Sequence, residues 1–212
     1  VSIVSSTTSS VTDTLQTLGA DKLSVSITNT RYQPMTLSDV AALPEEYDSI
    51  SLAAPSLTQS ATLKAGDTST TASVVGTTSS YADINDLSVQ YGRFIKSPDV
   101  DNNSTVAVVG TDIADDLFGR TDIVGETISV DGRSFLVVGV LADAGESIIG
   151  SENSNIIIPY TTAQRMFYVS GVTSFTITAG SSELVDQAEA DVTTALMQRF
   201  KDEDAFSVMN QS

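Results

Sequence analysis

The chain has 212 residues, 41% of them hydrophobic, and sets 10 Lys and Arg against 27 Asp and Glu for a net charge of -17. A surface of that sign repels phosphate backbones and anionic headgroups, which argues against nucleic acid as a partner. Cys and His are both absent, so disulfides, thiolate or imidazole metal sites, cysteine nucleophiles and Ser-His catalysis are excluded.

In chain order, Val4, Val11, Leu15 and Leu18 fall on one stripe at helical spacing ahead of Gly19, so residues 1–20 read as a stalk helix. Most of its other positions are Ser or Thr, weak helix formers, and such a helix needs an anchor ahead of Val1 or a partner along its stripe. A poorly ordered tail fits the same composition. Val rather than Met stands first, inside this helix, which reads as a piece of a longer protein. The apolar run FLVVGVLA at 135–142 is far shorter than a bilayer span, so the piece itself is expected to be soluble.

Leu23, Val25 and Ile27 alternate with polar residues, the period of a half-buried strand. Thr36 with Asp39 three residues on marks the start of a helix over Leu37–Leu43, and Pro44 is expected to close it. Ile50–Lys64 and Thr70–Gly76 read as two strand-like runs joined by a hairpin with Gly66 and Asp67 at its tip. At the far end, Phe175 and Ile177 mark a strand and Phe206 and Val208 a last one; between them Leu184, Val185, Ala188, Val192, Ala195, Leu196 and Phe200 line one helix face. Joined across the middle, these segments predict an α+β fold: a split βαββαβ, ferredoxin-like unit over 21–80 plus 170–212, with helices on one face of its sheet.

The middle, residues 81–169, reads as a small mixed α/β insertion. It holds the strand VAVVG at 106–110 and a short helix ending at Gly119. In TISVDGRSFLVVGV, the pair Asp131-Gly132 between alternating strands is a strong hairpin signal. NIIIPY then leads into a helix for which Thr161 and Gln164 supply a capping box.

Three patterns in the chain resemble sites. In TVAVVGTDIADDLFG an apolar strand, a glycine and a helix follow one another, the layout of a phosphate-binding turn. A dinucleotide turn needs several glycines and a helix start without negative charge, whereas Gly110 is followed by Asp112, Asp115 and Asp116, which suit the helix dipole themselves. DVDNNS puts Asp99, Asp101 and Asn103 at the first three ligand positions of a calcium loop, but Ser104 and Gly110 replace the required Gly and Glu, so it reads as a polar turn. The carboxylate pairs Glu45-Glu46, Asp115-Asp116 and Asp202 to Asp204 fall in expected turns or helix ends and read as solvated surface. No catalytic, cofactor-binding or metal residue is therefore assigned.

Several phrases in their order, YGRFI at 91–95, TVAVVG at 105–110, LFG at 117–119, IVGETISVDGRSFLVVGVL and IIIPYTTAQRMF, resemble the MacB-like periplasmic core domain. This is the extracytoplasmic domain of ABC transporter permeases of the group that includes MacB, FtsX and the lipoprotein-releasing permeases, and the likeness runs from LGADKLSVSIT to near the end. It implies a porter-like subdomain, here 21–80 plus 170–212, an inserted sabre-like subdomain over 81–169, and a stalk over 1–20 continuing the first membrane helix. The implied partners are the rest of the permease with its flanking transmembrane helices, a cytoplasmic ABC ATPase, and a second permease subunit in a homodimer or heterodimer. The isolated domain is expected to be a monomer.

The resulting expectation is a noncatalytic domain on the extracellular or periplasmic side of the cell membrane that transmits ATP-driven conformational change, with Val11, Leu15 and Leu18 as the candidate coupling helix face. No long insertion reads as a partner-binding hairpin, which fits a Gram-positive or archaeal permease. The chief rival is an extracellular cell-envelope or adhesion module; a carboxylate-based hydrolase ranks below both for want of a base and a site.

Overall fold

The computed structural model describes residues 22–28, 35–143 and 154–210. The chain forms two compact units: a split unit of Val1–Ala54, Ile84–Asp86 and Gly171–Ser212, and an inserted unit of Pro55–Asp83 and Leu87–Ser170.

The split unit holds β1 (Lys22–Ile27), α1 (Leu37–Glu46), β2 (Ile50–Pro55), β10 (Ser174–Ala179), α6 (Val185–Phe200) and β11 (Phe206–Asn210). Their sheet has the order β11-β1-β10-β2, the strand order of a βαββαβ unit whose second and third strands are separated by the insertion. β1 is antiparallel to both neighbours, with Leu23 opposite Ile177 and Asn210, and Val25 opposite Phe175 and Val208. The expected sharing of one sheet by the first and last strands is thus met. Period-2 alternation turns Leu23, Val25, Phe175 and Ile177 to a fully buried face, while Ser24, Thr176 and Thr178 stay partly exposed on the other. Against the apolar residues α6 buries Val185, Ala188, Val192, Leu196 and Phe200. Leu184, expected on that face, is instead 38% exposed in a 3-10 turn over Ser182–Leu184.

Helix α1 begins as expected. The Asp39 N–H donates to Thr36 Oγ1 at 3.2 Å and the Thr36 N–H to Asp39 Oδ2 at 2.9 Å, a reciprocal capping box. It does not stop at Pro44. Proline lacks only one helical donor, and the Tyr47 N–H still bonds the Leu43 carbonyl at 3.0 Å, so the last turn closes around Pro44 and ends at Glu46.

The inserted unit is built on β3 (Leu57–Ala65), β4 (Thr68–Thr77), β5 (Val89–Gly92), β6 (Val106–Val109), β7 (Thr127–Val130), β8 (Arg133–Leu141) and β9 (Asn155–Pro159). Four helices accompany them: α2 (Ser80–Ile84), which ends in the split unit, α3 (Ser97–Asp101), α4 (Thr111–Phe118) and α5 (Tyr160–Phe167). The strand order is β5-β8-β6-β9-β4-β3-β7, and β7 also pairs with β8. Six strands therefore close into a ring, β8-β6-β9-β4-β3-β7, with β5 added on the flank of β8. Closure removes the open edges that a six-stranded sheet would otherwise present.

The division of the chain falls at 54 and not at the expected 80. The run Ile50–Lys64 is broken at Ser56 into β2 and β3, and the β3–β4 hairpin belongs to the ring, where β4 lies parallel to β9 with Val74 beside Ile156. Proline cannot donate to a ladder, and Pro55 terminates the edge strand β2 where the chain leaves one sheet for the other. Both expected hairpin turns form: Gly66 has φ 61°, and Asp131 and Gly132 have φ 47° and 92°, the left-handed pair of a type I′ turn.

Candidate functional site

The candidate coupling residues Val11, Leu15 and Leu18 lie outside the described residues. What the described residues offer is a set of polar contacts that hold loops and helices in each of the two units.

In the split unit, Arg199 near the end of α6 reaches Asp39 of the α1 capping box, Nη2 to Oδ2 at 3.0 Å. This pair crosses a cleft of about 250 Å³ lined by Met35, Leu43, Glu46, Ala195 and Gln198. Elsewhere in this unit, the hydroxyl of Ser49, a residue 4% exposed, donates to Asp191 Oδ2 at 2.6 Å, and the other Asp191 oxygen accepts from Gln187 Nε2 at 2.9 Å. A hydroxyl so placed has a carboxylate beside it but no imidazole to take its proton. The bond ties the residue ahead of β2 to α6.

In the inserted unit, the residues with partial calcium-loop spacing hold a helix start. Asp99 is the third residue of α3, and its carboxylate accepts Arg93 Nη1 at 2.7 Å, Arg93 Nη2 at 3.3 Å and the Lys96 N–H at 2.9 Å. Burial works to raise the Asp99 pKa; the Arg93 bond, the Lys96 amide and the charges of Arg93 and Lys96 outweigh it and hold the carboxyl below its ordinary value. Asp101 stays exposed and Asn103 takes the left-handed turn, φ 51°, that follows the helix. The expected polar turn is therefore a short helix locked by a two-pronged ion pair. Its signal was present in sequence: Pro98 at a helix start, with Asp99 three residues after Lys96.

The glycine turn is structural as well. The Gly110 N–H donates to the Asn155 carbonyl at 2.9 Å, and Asp112 in the first turn of α4 accepts the Ser154 hydroxyl at 3.0 Å. Asp115 and Asp116 lie on the exposed face of that helix, inside it and not at its end. Thr161 does not form the expected capping box, because α5 already starts at Tyr160; its hydroxyl donates to the Val100 carbonyl, and that of Thr162 to the Ser104 carbonyl. Tyr160, fully buried, has its phenol pushed up to about 12 by desolvation. Among the described residues no group of three or more Asp or Glu is arranged to hold a metal ion, and no helix is long and apolar enough to cross a membrane.

A split βαββαβ unit interrupted by a closed strand ring defines an α+β domain. The chain belongs to the MacB-like periplasmic core domain family, which matches residues 1–195. It is 31% identical over 179 residues to a macrolide export ATP-binding/permease protein MacB of Hyphomonas neptunium, covering 83% of this chain and 27% of that protein. A protein of the same name from Marinobacter nauticus is 28% identical over 211 residues, covering 95% and 32%. The chain thus spans about a third or less of the length of these relatives. Among solved structures, the periplasmic region of MacB from Actinobacillus actinomycetemcomitans shares the fold with a TM-score of 0.77 at 23% identity, covering 93% of this chain and 92% of that one. The extracellular domain of the noncanonic ABC-type transporter YknZ from Gram-positive bacteria gives 0.74 at 19%, covering 90% and 100%.

Proposed function

We propose that this chain is the extracytoplasmic domain of an ABC transporter permease and that it passes ATP-driven movement of the membrane part to the handling of substrate or partner outside, with no catalytic step of its own. The observation that carries the reading is the pairing of the first and last described strands. Leu23 lies opposite Asn210, so the chain enters and leaves the split unit on neighbouring antiparallel strands. A domain held between consecutive membrane helices has to return its chain to the side from which it came, and this pairing does so within one sheet. Family membership and the relatives' names, which join ATP-binding and permease, support the transporter context.

On this reading residues 1–20 are the stalk, with Val11, Leu15 and Leu18 as the face that couples to the membrane helix. The split unit takes the porter-like role and the inserted ring the sabre-like one. ATP hydrolysis belongs to a cytoplasmic domain or subunit, and two permease subunits act together.

The test places a single cysteine in the full-length protein, made otherwise cysteine-free. Asp116→Cys lies on the exposed face of α4. It should react with a membrane-impermeant maleimide on intact cells; reaction only after lysis would overturn the proposal.

A further inference from the structure

The six-stranded ring is not equally strong all round. Its longest seam, β3–β4, has nine residue pairs from Leu57↔Gly76 to Ala65↔Thr68, and β4–β9 has five. Two seams have only two pairs. One, β6–β9, joins Val108 to Ile157 and Val109 to Ile156, four fully buried residues, and is extended by the Gly110 N–H to Asn155 carbonyl bond. The other, β3–β7, joins Leu63 to Val130 and Lys64 to Ser129, and only the first of these pairs is buried on both sides.

The β3–β7 ladder runs on to Thr62 and Asp131, where a strand residue would exchange two backbone bonds. The Asp131 N–H does donate to the Thr62 carbonyl at 3.0 Å. Asp131, however, is the first residue of the I′ turn, φ 47°, and the Thr62 N–H is taken by its side chain, Oδ1 at 2.9 Å. A carboxylate thus replaces the ladder acceptor at the place where the two hairpins β3–β4 and β7–β8 meet.

We infer that β3–β7 is the opening seam of the ring and that the Asp131 carboxylate is its latch. Each flanking strand keeps its own hairpin partner when the seam parts, so the ring unrolls into an open sheet without either hairpin unfolding, uncovering Leu63 and Val130. Every other seam of the ring is longer or wholly buried. Opening of this kind supplies the inserted unit with a second arrangement, which a rigid barrel lacks.

Hydrogen exchange on the 212-residue chain tests this with two variants. Asp131→Gly keeps a residue suited to positive φ but removes the acceptor, whereas Asp131→Asn keeps both the turn and a carbonyl oxygen. In Asp131→Gly the seam-facing amides of Thr62, Lys64, Ser129 and residue 131 should exchange roughly fivefold faster or more, the loss of about one hydrogen bond. Those of β4 and β9 should stay unchanged, and Asp131→Asn should match the parent within about twofold. The inference is overturned by unchanged exchange in Asp131→Gly, by an equal rise in β4 and β9, or by an Asp131→Asn variant as fast as the glycine one.

Discussion

In the split unit, β1 is flanked by two strands from the far end of the chain, and its sheet is open, with one apolar face under α6 and one partly exposed face of Ser and Thr. In the inserted unit, strands close on themselves, and β6 and β9 are buried on both faces, with Ala107, Val108, Val109, Ile156, Ile157 and Ile158 all fully covered. The first arrangement depends on an apolar face supplied from distant segments, so removing one large side chain from it should be felt throughout that sheet. The second distributes its core over a ring of seams, where close backbone approach and short polar locks set local stability.

The largest effect is therefore expected at Phe175, 0% exposed and paired with Val25. Phe175→Ala should lower stability by about 3–5 kcal/mol in denaturant titrations, with exchange protection lost in β1, β10 and β11 ahead of β4 and β9. Equal loss in the ring strands would break the contrast between the units. Next comes Gly76 in β4, where an added Cβ would overlap the Ala163 Cβ of α5. Gly76→Ala should cost about 1–3 kcal/mol, and the double variant with Ala163→Gly should recover most of the loss, a coupling that a propensity effect alone would not produce.

The smallest effect is at the Arg93–Asp99 lock. Asp99 has its folded-state pKa below the ordinary 3.8, so its stabilisation is present above that value and is lost as pH falls through the lower, folded one. Asp99→Asn should cost about 1 kcal/mol at neutral pH, kept small because the Arg93 guanidinium is partly solvated. The difference from the parent should shrink only as pH falls below 3.8 and through the lower folded value, as read by unfolding at a series of pH values. A difference that persists undiminished in acid would assign the lock to packing instead of charge.

What could be read from sequence was local chemistry. The capping box at Thr36 and Asp39, the Asp131-Gly132 turn, the Gly66 hairpin and, apart from Leu184, the buried face of α6 all depend on sequence-local residues, and each appears as expected. Reading failed where the deciding partner is distant. β2 and β3 look like one strand-like run because nothing nearby tells which sheet each half will join; β7 and β9, far downstream, draw β3 and β4 into the ring. Thr161 and Gln164 have capping spacing, but the N-cap is Pro159, two residues earlier. The family was legible in the sequence, whereas the Arg93–Asp99 lock was hidden behind a failed metal pattern, although its helix-start spacing was there to be read.

The proposed role depends on the pairing of the last described strand with the first. Ser24 lies opposite Met209, whose side chain is 64% exposed, on a chain without native cysteine. Directly opposed antiparallel residues lie about 4.5–5.5 Å apart at Cα, within disulfide reach. The pair Ser24→Cys with Met209→Cys should therefore oxidise to an intramolecular disulfide under mild conditions, and the shifted pair Ser26→Cys with Met209→Cys should do so far less. Absence of the first cross-link, or equal yields from both pairs, would contradict the architecture on which the proposed role rests.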